Sequence, residues 1–253
     1  MIHSVGLIGC GKIGHCLLHV LSEPGSPCIS FIRIPEGKTA EYSAGVPVIH
    51  DFDREKYEKT DLIIECADAE ALKQQGETAL QYADLMPFSL TALADETFFH
   101  KLSAAAQKAG HHIYIPHGAV AGIDGIRGGR TQLQAVQIET VKNPKTLGRS
   151  DSVRTVVYKG STREACRLYP RNVNIHAAAA LAGLGFDKTM SVIVSDPHVQ
   201  TNSHDLMISG NGFEFHVHIT SQAGGGVSGA YTLLSAACSL KDVVGSGSVF
   251  CFI

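Results

Sequence analysis

The sequence predicts an α/β fold in two parts, on three observations. Short apolar runs alternate with helical stretches up to residue 116, the composition changes at a glycine-rich stretch beginning at His117, and the later runs alternate apolar with polar residues. Strands that are apolar throughout are buried on both faces of a parallel sheet, whereas alternation marks a sheet with one wet face. Residues 1–117 therefore read as a doubly wound parallel domain and 118–228 as an α+β domain on a mostly antiparallel sheet. A closing segment follows at 229–253.

Residues 5–14 read VGLIGCGKIG, an apolar strand entering Gly9-x-Gly11-x-x-Gly14 and then a helix pattern at Ile13, Leu17, Leu18 and Leu21. In that context the glycines form a Rossmann-type dinucleotide fingerprint. Gly9 permits the tight turn, Gly11 lets backbone approach a pyrophosphate, and Gly14 brings helix and strand close. The helix start, with Lys12 and Ile13, offers unpaired N–H groups and a positive dipole end to the phosphates. Both Gly11 and Gly14 are expected to face them.

The second strand, 28–34, ends Phe31-Ile32-Arg33-Ile34, where such folds usually place an acid on the adenine ribose. The first acid is Glu36, inside a Pro35-Glu36-Gly37 turn that sends the chain away. Arg33 is then a candidate partner for the extra phosphate of NADP. NAD or NADP is the expected cofactor, with NADP accepted at least as well.

Further strands are expected at 46–49, 62–66, 83–93 (running into a small-residue loop) and 113–116, with helices at 69–82 and 98–109. Gly118, Gly122, Gly125, Gly128 and Gly129 then suggest a flexible loop, with Ala119 and Ala121 leaving room for a flat ring; a plain interdomain linker is the other reading.

In the second part, 132–141 and 153–158 read as strands and 162–169 as a short helix. Pro170 suits a helix start, and the alanine-rich run 176–182 continues that helix. A buried strand is expected at 190–194, broken by Ser195-Asp196-Pro197. His204 follows in a polar loop, ahead of strands at 206–209 and 213–220. Residues 222–229 read as a second hinge, 230–240 as a helix and 248–253 as a strand.

Of the 253 residues, 44% are hydrophobic and 18% charged, and the net charge is −3. This describes a compact globular protein with no electrostatic reason to bind nucleic acid or a membrane surface. Seven scattered cysteines, none in a CxxC pair, read as reduced thiols, and no signal segment or spanning run is apparent, so the cytoplasm is expected. Thirteen histidines invite a metal reading. His15 and His19 lack a placed third ligand, and His216 and His218 share a strand face that reads as polar surface, so no metal is expected.

Several motifs in order resemble the L-aspartate dehydrogenase family: Pro170-Arg171-Asn172-Val173-Asn174 with its alanine run, Ser195-Asp196-Pro197, Asn202-Ser203-His204, and the block His117-Gly118-Ala119-Val120-Ala121-Gly122-Ile123-Asp124-Gly125-Ile126. With the N-terminal glycines the resemblance covers nearly the whole chain. It implies NAD(P)-dependent oxidation of L-aspartate to iminosuccinate, then oxaloacetate and ammonia, with the C-terminal helix returning to the Rossmann domain; a homodimer is expected because a mostly antiparallel sheet like that of the second part often supplies a dimer face. The loop with Ala119 and Ala121 would lie along the nicotinamide. The family's Asn-Pro-Lys-Thr-Ser-like entrance to that last helix is replaced here by Gly226-Val227-Ser228-Gly229.

Such a reaction needs a group that takes and returns protons near neutrality, and an imidazole with a pKa near ~6.5 can. His204 is the candidate, against the alternative of a surface histidine. Asn172 and Asn174 would orient the nicotinamide carboxamide or a substrate carboxylate. Arg171, His176 and Asn202 are candidate substrate contacts. The rival functions are a reductase of another small amino or imino acid and a catalytically silent nicotinamide-binding protein.

Overall fold

The computed structural model describes residues 2–39, 45–222 and 229–245. Apart from Gln222 and Gly229, the hinge expected at 222–229 and the strand expected at 248–253 lie outside the described residues. Two compact units divide the chain: Met1–Ser89 with Thr97–Pro116 and Leu234–Ile253, and Leu90–Glu96 with His117–Leu233. Residues 90–96, read from sequence as part of the nucleotide half, thus pack with the second unit.

In the first unit β1 (Ser4–Ile8), β2 (Cys28–Arg33), β3 (Val48–Ile49), β4 (Leu62–Glu65) and β5 (Asp84–Pro87) lie parallel in the order β3-β2-β1-β4-β5. The order reverses between β1 and β4, and ligands of such sheets bind in the crevice beyond the strand ends at that reversal. The connecting helices are α1 (Lys12–Leu21), α2 (Arg54–Glu58), α3 (Ala69–Ala79) and α4 (Glu96–Ala109). Every residue of β1 is buried. Val5 and Leu7 join a core with Leu17 and Leu21 of α1 and Ile64 of β4. On the alternate positions, Gly6 makes room for Phe31: a Cβ there would stand 2.5 Å from its ring. Phe31 stacks on Tyr57 with centroids 4.8 Å apart, and Phe52 and Tyr82 complete the aromatic cluster.

The strand expected at 113–116 reduces to one bridge, Leu85 to Ile113. Leu85 donates to the His112 carbonyl and Tyr114 donates back to that of Leu85; Pro116 has no N–H with which to extend the ladder.

The second unit contains α5 (Ile123–Gly129), β6 (Leu133–Lys142), β7 (Thr155–Ser161), α6 (Thr162–Leu168), α7 (Asn174–Ala182), α8 (Gly185–Lys188), β8 (Met190–Ser195), β9 (Thr201–Gly210) and β10 (Phe213–Gln222). Its sheet runs β10-β9-β6-β8-β7, antiparallel except for the β6–β8 pair. The last helix, α9 (Ala230–Val244), puts Ala236 and Leu240 into the first unit's core beside Val5 and Leu17. Among the described residues no helix is long and apolar enough to cross a membrane.

Three expectations about this unit are corrected. The glycine-rich stretch is a loop only as far as Gly122, whose φ of 86° caps α5. Gly125 then meets the Phe215 ring, where a Cβ would stand 2.7 Å away, and Gly129 meets Phe213 in the same way. These two glycines serve close packing of a helix on aromatic rings, not loop freedom. Pro170 sits in a turn four positions before α7, which opens with Ala177 donating to the Val173 carbonyl. His204 is not in a loop at all: it lies inside β9 and is buried.

Candidate active site

The nucleotide half is built at the end of β1. Gly9 has a φ of 95°, and a Cβ on it would stand 2.7 Å from that of Ala67, so both conformation and space require glycine. A Cβ on Gly14 would meet the Cys66 thiol and the Gly9 carbonyl at 3.2 Å, so this residue brings α1 close to the sheet. It is buried, and its close contacts give it a packing role. Gly11 is the opposite case: its added Cβ would meet nothing within 4 Å. It caps α1 without a side chain of its own, so nothing at this position fills the space before the helix start. Lys12 is exposed and Ile13 half-buried on the adjoining core. Open space, an uncapped helix start and a topological reversal together fit a dinucleotide. Gly11→Val should therefore fold, its φ of −83° being open to any residue, and weaken NAD(P) at least roughly tenfold. Fluorescence titration of the reduced cofactor checks this, and an unchanged affinity would remove Gly11 from the phosphate contact.

Glu65 closes β4 and is fully buried. Its carboxyl accepts from the Ala67 N–H at 2.8 Å, the Ser89 N–H at 3.0 Å and the Ser89 hydroxyl at 2.9 Å. It thus braces the two chain segments that leave β4 and β5 at the ligand-binding edge. Burial pushes its pKa up to about 7 against the pull of these donors.

The chemical half lies in the second unit, on the face of the sheet that carries α7. β9 alternates, with Asn202, His204, Leu206 and Ile208 all buried. Thr140 of β6 is the register partner of His204, and Ser191 of β8 that of Ile138, so these side chains share one face. Thr140 Oγ1 lies 2.8 Å from His204 Nδ1 and 2.7 Å from His176 Nε2, and His176 Nδ1 lies 2.8 Å from Ser191 Oγ. Lys142, two residues beyond Thr140, is buried on the same side and donates to the Asn172 side-chain oxygen at 3.3 Å and its carbonyl at 3.4 Å.

Burial lowers the Lys142 pKa to about 8. Burial and the Lys142 charge lower His204 to about 3, with Asp205 opposing weakly. Burial first, then His204 and Lys142, take His176 well below its ordinary value. At neutral pH the cluster is therefore one buried ammonium beside two uncharged imidazoles.

The structure brings together His204, His176, Asn172 and Asn202, all from the second unit. It gives Asn174 a bracing bond, its side-chain oxygen accepting from the Thr91 N–H at 3.1 Å. Arg171 is exposed, Ala119 is buried and Ala121 is half-buried. Arg33 donates to the Tyr57 hydroxyl at 3.2 Å. Lys142, Thr140, Ser191 and Glu65 escaped the sequence reading. The missed signal for the first two was period-two spacing: extending the expected strand by one residue puts Thr140 and Lys142 on the buried side.

Residues 124–243 match the family described as "Aspartate dehydrogenase, C-terminal", and 9–116 match "Homoserine dehydrogenase, NAD binding domain". Similar proteins include the L-aspartate dehydrogenase of Nitrosopumilus maritimus, 31% identical over 81% of this chain and 83% of that one. L-aspartate dehydrogenase 1 of Bordetella pertussis is 32% identical over 85% and 86%. The solved aspartate dehydrogenase of Thermotoga maritima superposes with a TM-score of 0.80 at 26% identity, covering all of both chains. Identity of 31–32% along more than four fifths of such relatives makes this chain a member of the L-aspartate dehydrogenase family.

Proposed function

We propose that the protein oxidises L-aspartate to iminosuccinate with NAD(P), the imine then hydrolysing to oxaloacetate and ammonia, with His204 as acid–base group and Lys142 as carboxylate partner. The observation that carries this assignment of roles is the buried Lys142 ammonium sharing a sheet face with the neutral His204 ring. A dicarboxylic substrate needs a fixed cation, and a buried one is far stronger than a solvated one. The Asn172 oxygens hold that ammonium in place.

His204 takes a proton from the substrate ammonium, freeing the nitrogen lone pair. NAD(P), which Gly11 and the first turn of α1 would hold, would supply the acceptor for the hydride that leaves Cα. His204 then assists the addition of water to the imine and returns a proton to the departing amine. A ring with a pKa of about 3 is a weak base. Burial is the larger cause and the Lys142 charge the smaller; a substrate carboxylate beside Lys142 offsets the smaller one and so strengthens the base. NAD(P)H formation across a panel of amino acids at alkaline pH tests the reading. Reduction with aspartate alone supports it, a different preferred amino acid favours a related dehydrogenase, and cofactor binding without turnover favours a silent nicotinamide-binding protein.

For cofactor choice, Arg33 at the end of β2 supports acceptance of NADP: with one donor on Tyr57, its other N–H groups can meet a phosphate. Glu36 is exposed in the Pro35–Lys38 turn. Arg33→Ala should weaken NADP by about 1.5–3 kcal/mol, the scale of a charge-assisted bond, and leave NAD little changed. Titration of both cofactors decides it, and an equal loss for each would end the phosphate role.

The same reading carries a cytoplasmic homodimer. The described cysteines are all free, as a reducing compartment keeps them. Sedimentation of the purified protein tests the dimer.

A further inference from the structure

We infer that a buried chain of hydrogen bonds, from His204 through Thr140, His176, Ser191 and Thr162 to the Thr189 carbonyl, fixes His204 as its Nδ1–H tautomer and leaves Nε2 as the basic nitrogen. Thr140, His176, Ser191 and Thr162 are then positioning residues. The inference rests on the reading of His204 as the acid–base group and deepens it.

The direction of the chain follows from its far end. The Thr162 hydroxyl lies 3.0 Å from the Thr189 carbonyl, and a carbonyl can only accept, so Thr162 donates there. A hydroxyl has one proton, so across the 2.7 Å contact Ser191 must donate to Thr162. Ser191 therefore accepts at 2.8 Å from His176, whose proton sits on Nδ1. The bare Nε2 of His176 accepts from Thr140 at 2.7 Å. Thr140, its proton committed, accepts at 2.8 Å from His204 Nδ1–H.

Three hydroxyls and two neutral imidazoles supply five protons, and this arrangement uses them in five bonds. Reversing the chain leaves the Thr162 and Thr189 oxygens facing each other with no proton between them. It also puts the outer proton of His204 on Nε2, where the ring can no longer act as a base. Every member is buried, so water cannot make up the lost bond: Thr140, Thr162, His176, Ser191 and His204 are each at most 4% exposed.

The arrangement suits both halves of the catalytic cycle. When Nε2 takes a proton, Nδ1–H keeps donating to Thr140, and nothing in the chain turns round. The same chain is no exit for protons, because the terminal carbonyl cannot pass one on. It orients the ring and holds the proton at the reacting edge.

The test uses the full-length protein labelled with ¹⁵N-histidine, with His204 signals assigned by their loss in His204→Ala. Long-range ¹H–¹⁵N correlations distinguish the two tautomers. The expected result is Nδ1–H in the wild type. Thr162→Val removes the anchor and should admit the Nε2–H form, lowering kcat about tenfold, the equilibrium equivalent of one ordinary hydrogen bond. KM for aspartate should barely move, and Thr162→Ser should restore both tautomer and kcat. If Thr162→Val does not fold, Ser191→Ala breaks the chain one link further on and is read in the same way. Nε2–H in the wild type overturns the inference, as does an unchanged tautomer in a folded broken-chain variant. Retained activity in His204→Ala would instead sink the acid–base reading while leaving the tautomer result intact, so the two failures are distinguishable.

Discussion

His204→Ala is expected to lower kcat by about 10²–10⁴-fold, the usual worth of a positioned proton-transfer group. Cofactor affinity should stay unchanged, because the proposed role of the ring is toward the substrate and the nucleotide features lie in the other unit. The variant should still fold: the ring bonds Thr140, and that hydroxyl can still bond His176. A rate limited by substrate deprotonation should also recover partly with small exogenous bases such as imidazole. Near-normal turnover in the folded variant would pass the role elsewhere, with His176 poorly suited because both of its nitrogens are already engaged.

Lys142→Met is expected to separate stability from function. The ammonium is buried, and burial lowers its pKa from the ordinary 10.5 to about 8. At 1.36 kcal/mol per unit this is on the order of 3 kcal/mol of unfavourable charge burial below pH 8. The sign follows from linkage: between pH 8 and 10.5 the unfolded chain holds this proton and the folded chain does not, so stability rises with pH across that window. An apolar side chain of similar length removes the cost at the expense of two bonds to Asn172. Lys142→Met should thus be more stable than the wild type at pH 7 by roughly 1–3 kcal/mol, the difference shrinking towards pH 10. KM for aspartate should rise about 10–100-fold, as loss of a charge-assisted contact implies. Urea denaturation at both pH values and steady-state kinetics check both halves. Lower stability together with unchanged KM would make the lysine structural.

The nucleotide half was legible because its glycines answer to backbone geometry. Gly9 needs a positive φ, Gly11 needs open space and Gly14 a close approach, and each leaves a gap in the sequence at a fixed offset from a buried strand. The chemical half was legible only by resemblance, and its setting was misread. Asn202-Ser203-His204-Asp205 has the composition of a turn, yet it lies within the first half of a strand. Hydropathy marks buried strands by apolar residues, and here Asn202 and His204 take inward positions, the His204 ring bonded to Thr140. Lys142 was hidden for the same reason. A lysine at a strand end ordinarily reaches water, and only the three-dimensional enclosure shows that this one does not. The α5 glycines misled in the opposite direction, since small size for an aromatic neighbour and small size for flexibility look identical in one dimension.

The return of α9 to the first unit bears on the order in which this protein can be made. Ala236 and Leu240 share a core with Val5 and Leu7, more than 220 residues earlier in the chain. A ribosome delivers the parallel sheet first, but one of its covering helices emerges only after the second unit. Residues 117–233 are complete before then, so the second unit can finish folding while the first still exposes the apolar surface that α9 will cover. Newly made chains stalled or cleaved before residue 230 would carry that uncovered patch into the cell, a natural target for chaperones and proteases.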